Sequence, residues 1–191
     1  MRTRKDRKEM LEPAQMRPYT SFWIRFILIL VLGSFAFQLG CYKEYDRGAS
    51  AYGNSLTVVI SGIHEIEEVA YSVGDEHYVL KPKNPLNKLL VAKVAVANNR
   101  SARTTMYVDE SAAYLSDDTR NNFLLINPYE AREVVSDGSK YENNYVPFLW
   151  GNIELQEKYQ VEGWMVFESF PEPDLVSFYW EQADPIRVAL K

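Results

Sequence analysis

From Leu56 onward the chain alternates between apolar and polar residues in short runs that are separated by turn residues. A period of two is the pattern of a β-strand, and about eight short strands with little helix predict an all-β sandwich. Gly74-Asp75 predicts a hairpin turn, and Asn98-Asn99 predicts the end of a strand. The candidate strands lie among the runs LTVVISGI, EVAYSVG, HYVLKP, NKLLVAKVAVANN, TTMYVD, SAAYLSDD, NNFLLI, KYQVEGWMVFESF, PDLVSFYWE and IRVALK.

Two places in this pattern carry a more specific expectation. Gly163 interrupts the alternating run Val161–Phe167, and a glycine inside a strand usually marks a bulge or a close neighbour. We expect Trp164 or a facing aromatic side chain to fill that space. The irregular segment Pro128–Val134 is compatible with a short helix, with Asn127 as its cap and proline in its first turn.

A different pattern precedes the strands. Basic residues lead into an uninterrupted apolar run of 12 residues, Phe26–Phe37. As a helix this run would span about 18 Å, whereas the hydrocarbon core of a bilayer is about 30 Å thick. A short apolar run behind a basic flank is typical of a signal peptide, so we expect the rest of the chain to leave the cytoplasm.

The run ends in Gln38-Leu39-Gly40-Cys41, which resembles the lipobox of bacterial lipoproteins. The resemblance implies cleavage after Gly40 and attachment of lipid to Cys41, the single cysteine of the chain. The alternative is an uncleaved signal anchor from Ser21 to Tyr42, with Arg25 reaching toward the headgroups and Trp23 at the interface. Both interpretations predict an extracytoplasmic protein that lipid or an anchor helix holds on the periplasmic or cell-surface face of a bacterial membrane.

Composition indicates a globular protein, and charge argues against one class of partner. The sequence is 47% hydrophobic and 14% aromatic, which is typical of a globular chain. Residues 1–40 carry seven Lys/Arg and three Asp/Glu, a balance of +4; the remainder carries fourteen and twenty-three, a balance of −9. So acidic a body argues against nucleic acid as a partner, since nucleic acid binding depends on neutralising phosphates.

The predicted organisation has three parts. Residues 1–41 form the signal peptide or anchor, and residues 42–55 form a flexible tether, because small and polar residues dominate there. Residues 56–191 form the β-rich domain.

Two segments of this domain have distinctive patterns. The first is an alternating strand that ends in asparagine, with Val94, Val96, Asn98 and Ser101. The second leads from Leu155 through Val-x-Gly-x-Met-x-Phe to a proline, with Val161, Gly163, Met165, Phe167 and Pro171. Together they resemble a bacterial immunoglobulin-like family of unknown function found in lipoproteins and secreted proteins, the fold group of the mycobacterial immunoprotective extracellular antigen. The resemblance implies an immunoglobulin-like sandwich and brings no catalytic residues.

Candidate chemistry is sparse. The two histidines, His64 and His77, stand beside carboxylates and could bind a metal ion if their turns met. Calcium is a further possibility at the acidic pairs Asp109-Glu110 and Asp117-Asp118, near Asn121 and Asn122. No G-x-S-x-G elbow is present and the glycines are scattered, so we expect neither an enzyme nor a cofactor.

Aromatic residues suggest binding instead. Tyrosine and tryptophan beside asparagine suit stacking on carbohydrate or a protein interface. The alternative is that about half of these aromatic residues fill the core of the sandwich, where aromatic side chains supply much of the buried area. Alternation puts Phe178 and Trp180 on one face of a strand and Tyr179 on the other. The sequence therefore favours a non-catalytic binding or envelope-assembly role, with an envelope protein or glycan as partner; a metal- or small-molecule-binding accessory protein is the alternative. The candidate binding surface consists of Tyr141, Tyr145, Phe148, Trp150 and Tyr179.

Overall fold

A computed structural model describes residues 48–130, 132–136 and 145–190. Within these ranges the protein is all-β: thirteen strands form antiparallel pairs and no helix occurs. No helix in the described ranges is long and apolar enough to span a membrane. The strands are β1 (Ala49–Tyr52), β2 (Leu56–Ile66), β3 (Val69–Val73), β4 (Glu76–Leu80), β5 (Lys88–Asn98), β6 (Arg103–Val108), β7 (Ala113–Asp117), β8 (Asn122–Leu124), β9 (Arg132–Val135), β10 (Gly151–Gln156), β11 (Gln160–Ser169), β12 (Leu175–Trp180) and β13 (Ile186–Ala189).

The strands form four sheets. Sheet I has the order β1-β2-β5-β11, sheet II the order β13-β12-β7-β8, sheet III pairs β10 with β6, and sheet IV has the order β3-β4-β9. The predicted hairpin turn is confirmed, since Gly74 adopts a left-handed φ of 61° and Val73 pairs with Glu76. Glycine is favoured there because it has no Cβ to clash in that conformation.

Strand β5 of sheet I contributes side chains to a core on each of its faces, and this explains why β5 is almost wholly apolar. Leu90, Ala92, Val94 and Val96 face the first core, which also contains side chains of sheets II and III. Leu89 and Val91, on the other face of β5, belong to a second core shared with sheet IV. A strand that is covered on both sides reads as a nearly continuous apolar run.

The short helix predicted at Pro128–Val134 is not formed; every described residue in that range lies in a turn or a strand. Asn127 Oδ1 accepts a hydrogen bond from the backbone N–H of Tyr129 at 3.0 Å, which closes a local turn. Residues Arg132–Val135 then pair with β4 as strand β9. Pairing with a distant strand therefore outweighs the local helix-start signal in this segment.

The boundaries of the predicted domains also differ. Residues 1–41, with Gly40 and Cys41, and residues 42–47 lie outside the described ranges. Ala49–Tyr52, inside the predicted tether, instead forms β1 and pairs with β2, because Ala49 and Ala51 pack against the first core. Strand β10 was not predicted from the sequence, and it pairs with β6 over six positions.

Gly163 does mark the close approach of a neighbour, but no aromatic ring fills the space. A Cβ at this position would lie 2.7 Å from the carbonyl oxygen of Pro147 and 3.0 Å from Leu149 Cγ. The backbone of residues 147–149 runs along β11, where Trp164 N–H donates to Pro147 O at 2.8 Å and Leu149 N–H donates to Trp164 O at 3.0 Å. Glycine is therefore required because another backbone occupies the position of its side chain.

Asn98 joins the end of β5 to two other segments. Its side chain is fully buried and donates to the carbonyl oxygens of Ser101 at 2.8 Å and Leu155 at 3.0 Å, while Oδ1 accepts from Ser101 N–H at 3.0 Å. These bonds tie the end of β5 to the turn at Ser101 and to strand β10.

Candidate functional site

The predicted aromatic surface is not a single surface. Tyr145 and Phe148 are each only 8% exposed and belong to the second core, and Trp150 packs against both cores. Tyr179 lies in sheet II, where its neighbours Phe178 and Trp180 face the first core as predicted. Tyr141 lies outside the described residues. Most of these aromatic residues therefore stabilise the core instead of forming a binding face.

The path of residues 147–149 explains why Phe148 is buried. Their hydrogen bonds to β11 hold Phe148 over the face of sheet I that the second core covers. There the ring of Phe148 makes an edge contact with Tyr71, with centroids 4.9 Å apart, and with Tyr129 at 5.8 Å. The buried Phe148 thus packs against Tyr71, which is itself buried, and against Tyr129, which lies at the surface.

These tyrosines and an arginine form the strongest candidate site, which we call the Tyr–Arg cluster: Tyr71, Tyr78, Tyr129 and Arg132. Tyr71 and Tyr78 are cross-strand partners in the β3–β4 hairpin, and their rings stack with centroids 5.4 Å apart. The guanidinium carbon of Arg132 lies 3.9 Å from the centroid of Tyr78 and 5.7 Å from that of Tyr129. At 3.9 Å the guanidinium is within the range of a cation–π interaction.

Hydrogen bonds fix this geometry. Arg132 Nη1 donates to Tyr71 Oη at 3.3 Å, and Tyr71 Oη donates to the carbonyl oxygen of Pro128 at 2.8 Å. Tyr78 Oη donates to a carboxylate oxygen of Glu76. That hydrogen bond is the main cause of a raised pKa for Tyr78, while burial is the main cause of the raised pKa of Tyr129. Both phenols therefore stay protonated near neutral pH.

The cluster opens to solvent at its β9 side. Tyr129 is 42% exposed, and Val134, which pairs with Tyr78 from the outer strand, is 70% exposed. Arginine and tyrosine are the residues in which binding energy concentrates at protein interfaces. An arginine whose rotamer is already held by stacking loses little conformational entropy when a partner binds. The arrangement suits recognition of a partner.

A second set of aromatic residues lies on sheet II. Register places Leu124, Tyr114, Tyr179 and Arg187 side by side across its four strands. The rings of Tyr114 and Tyr179 stack with centroids 4.5 Å apart at an angle of 10°, and Arg187 Nε donates to Ser177 Oγ at 2.9 Å. Because the two rings face each other, each covers the inner face of the other.

The two histidines do not meet as the metal hypothesis requires. His77 Nδ1 is hydrogen-bonded to Ser72 Oγ at 2.8 Å within the β3–β4 hairpin. His64, in sheet I, lies beside Trp164 with ring centroids 6.1 Å apart. Over the part of the chain that the structure describes, no three His, Cys, Asp or Glu side chains are grouped to hold a metal ion.

The acidic residues considered for calcium lie at opposite ends of β7, so they do not share a site. Asp109 Oδ1 accepts from the backbone N–H and hydroxyl of Ser111 in the turn before this strand. Asp117 accepts from Thr119 and Asn121 in the turn after it. Burial raises the pKa of Asp117, but the hydrogen bonds from Asn121 and Thr119 lower it by more, so the net shift is downward. Both carboxylates organise turns.

Comparison with known proteins adds little about function. No family model and no curated protein matches the chain. A conserved hypothetical protein from Bacillus anthracis is similar in structure, with a TM-score of 0.48 at 15% identity over 78% of this chain and 97% of that one. A functionally unknown protein from Listeria monocytogenes EGD-e gives 0.41 at 9% identity over 76% and 82%. Likeness at this level carries no argument about this chain.

The Tyr–Arg cluster was not predicted from the sequence, although the pairing of its two hairpin tyrosines could have been. A two-residue turn at Gly74-Asp75 fixes the register of the hairpin, so Tyr71 must lie opposite Tyr78. The arginine could not be placed, because Arg132 reaches the cluster only after residues 132–135 pair with β4.

Proposed function

We propose that this chain is a membrane-anchored extracytoplasmic protein whose immunoglobulin-like β-sandwich binds a partner without catalysis. The single observation that carries the binding role is the Tyr–Arg cluster, in which Arg132 is held by Tyr71 and Tyr78 beside the exposed Val134. The partner that suits it is a protein of the cell envelope, since arginine and tyrosine dominate protein interfaces.

Two observations support the sandwich. The first core lies between sheet I and sheet II, and strands of both sheets contribute alternate side chains to it. The hydrogen bond from Asn98 to Leu155 joins the two segments that resemble the immunoglobulin-like family. A buried asparagine that ties two strand ends gives a physical reason for asparagine at this position.

The anchor is supported by sequence alone, and Cys41 provides its test. We expect mass spectrometry of the mature protein to find a diacylglyceryl-modified Cys41 at the N-terminus. Cys41→Ser should abolish the modification and release or mislocalise the protein. An intact Met1 in a membrane-bound protein would favour the uncleaved anchor, and a cytosolic protein with an unmodified thiol would refute the proposal.

The binding role is tested by crosslinking in the intact cell. A photoreactive phenylalanine analogue at Tyr129 is expected to capture an envelope protein, because this ring lies at the open side of the cluster. The matched control is the same substitution at Tyr107, a 56% exposed tyrosine on β6 in sheet III. Arg132→Ala should remove the adduct at position 129 in a folded protein. Equal adducts from both positions, or none from position 129, would contradict the proposal.

A further inference from the structure

Trp164 lies on sheet I at the border of the second core. Its ring is half-buried and packs against the second core through an edge contact with Tyr145, with centroids 5.1 Å apart. The next residue of β11 on the same face is Glu162, which is exposed. The indole therefore borders both the apolar core and solvent, a position that suits its apolar body and its polar N–H.

Polar side chains lie beside Trp164 on this face of sheet I. Register pairs Trp164 with Lys93 of β5, and Lys93 in turn with Gly62 of β2. Lys93 Nζ lies 2.6 Å from Glu162 Oε1 and 6.0 Å from the centroid of Trp164. His64, two residues beyond Gly62, brings its ring centroid to 6.1 Å from that of Trp164. One indole is thus flanked by an ammonium, a carboxylate and an imidazole.

These groups remain available to a ligand. The side chains of Lys93 and Glu162 are 39% and 44% exposed, so their ion pair contributes little to stability and can exchange hydrogen bonds with another molecule. Lysine only donates, an ionised glutamate only accepts, and a neutral imidazole does both. The charges of Lys93 and Glu162 cancel, which favours neither an anion nor a cation.

From this geometry we infer that Trp164, Lys93, Glu162 and His64 form a site for a neutral saccharide. A pyranose ring has an apolar face of C–H groups that packs on an indole, and hydroxyls around its edge that both donate and accept hydrogen bonds. A few polar groups around an apolar surface are the usual composition of a small-molecule site. The proposal goes beyond the proposed function, because none of these residues belongs to the Tyr–Arg cluster.

The test is isothermal titration calorimetry of the full-length protein in detergent micelles. The probes are three neutral tetrasaccharides: tetra-N-acetylchitotetraose, cellotetraose and maltotetraose. We expect saturable binding of at least one of them, and we expect its charged counterparts, a chitosan tetramer and a tetragalacturonate, to bind at least about tenfold more weakly. Absence of saturable binding of all three neutral probes up to about 10 mM would overturn the proposal.

Variants locate the site. Trp164→Ala should weaken binding at least about tenfold, but it also removes the contact with Tyr145. Lys93→Met and Glu162→Gln keep the side-chain lengths at half-exposed positions, so these variants should fold normally and weaken binding by about threefold to tenfold. Tyr107→Ala, which removes an exposed ring on sheet III, should leave binding unchanged. Unchanged affinity in both Lys93→Met and Glu162→Gln would overturn the assignment.

Discussion

Gly163→Val is expected to lower the free energy of unfolding by about 3 kcal/mol or more. Even its Cβ would lie 2.7 Å from Pro147 O, 3.0 Å from Leu149 Cγ and 3.1 Å from Leu149 N. Two of these three atoms belong to the backbone, so a change of rotamer cannot relieve the clash. The segment must move away from β11, which breaks the two hydrogen bonds that Trp164 makes with Pro147 and Leu149.

Urea unfolding followed by circular dichroism measures this loss, and Gly62→Ala is the matched control. Gly62 also lies inside a sheet I strand, but the nearest atom to its Cβ would be His64 Nε2 at 3.6 Å, an ordinary van der Waals contact. The control should change stability by less than about 1 kcal/mol. Equal effects of the two substitutions would mean that residues 147–149 do not pack on β11 as described.

Asp184→Ala is expected to cost about 3 kcal/mol, because one carboxylate satisfies several donors from a distant part of the chain. Asp184, in the β12–β13 turn, is 6% exposed; Oδ2 accepts from the N–H groups of Ser55 at 2.7 Å and Leu56 at 3.1 Å. Its truncation leaves both backbone donors without their acceptor. A Cβ on Gly53 would lie 2.3 Å from Oδ2, so this turn is shaped around the carboxylate.

The contribution of Asp184 to stability depends on pH, and the hydrogen bonds to its carboxylate determine whether this contribution rises or falls on acidification. Burial raises the pKa of Asp184, but the hydrogen bonds from Ser55, Leu56 and Asn54 lower it by more, to below its ordinary value of 3.8. A carboxylate whose folded pKa is lowered stabilises the protein above its unfolded pKa, and this contribution is lost as pH falls through the folded pKa. The stability difference between wild type and Asp184→Asn should therefore be constant from neutral pH to about 5 and shrink below about pH 4.

Urea unfolding at a series of pH values measures this difference. Other carboxylates with lowered pKa values, such as Asp117 and Glu168, titrate in both proteins and cancel from it. The matched control, Asp118→Asn, changes an exposed carboxylate and should shift stability by less than about 0.5 kcal/mol. A difference that grows on acidification would contradict the assigned role of Asp184.

Several elements were predictable because their causes are local. The alternation in LLVAKVAVAN predicts strand β5 and assigns its side chains to two faces, and the glycine of Gly74-Asp75 predicts the hairpin turn. Alternation also predicted the two faces of β12, with Phe178 and Trp180 facing the first core. Side-chain periodicity and turn chemistry act over a few residues, so the sequence contains this information directly.

The candidate site was harder to predict from the sequence. Aromatic content indicated binding, but it could not distinguish Phe148, which fills a core, from Tyr129, which lies at an open edge. Both residues occur in irregular segments, where alternation gives no assignment of inside and outside. The signals at Pro128–Val134 favoured a helix, and only the pairing of β9 with β4 brings Arg132 onto Tyr78.

By itself, then, the sequence determined the strand-rich character of the body, its acidic charge, the β3–β4 hairpin and the apolar run before Cys41. The tertiary structure decided that strand β5 has a core on each face, that residues 147–149 take the place of a side chain at Gly163, and that the tyrosines of a hairpin meet an arginine from β9. The physical reason is the range of the interactions. The alternation of a strand depends on residues that are neighbours in sequence. Which segment packs on each face of a sheet, and which strand pairs with each edge, depends on contacts between segments that are distant in sequence.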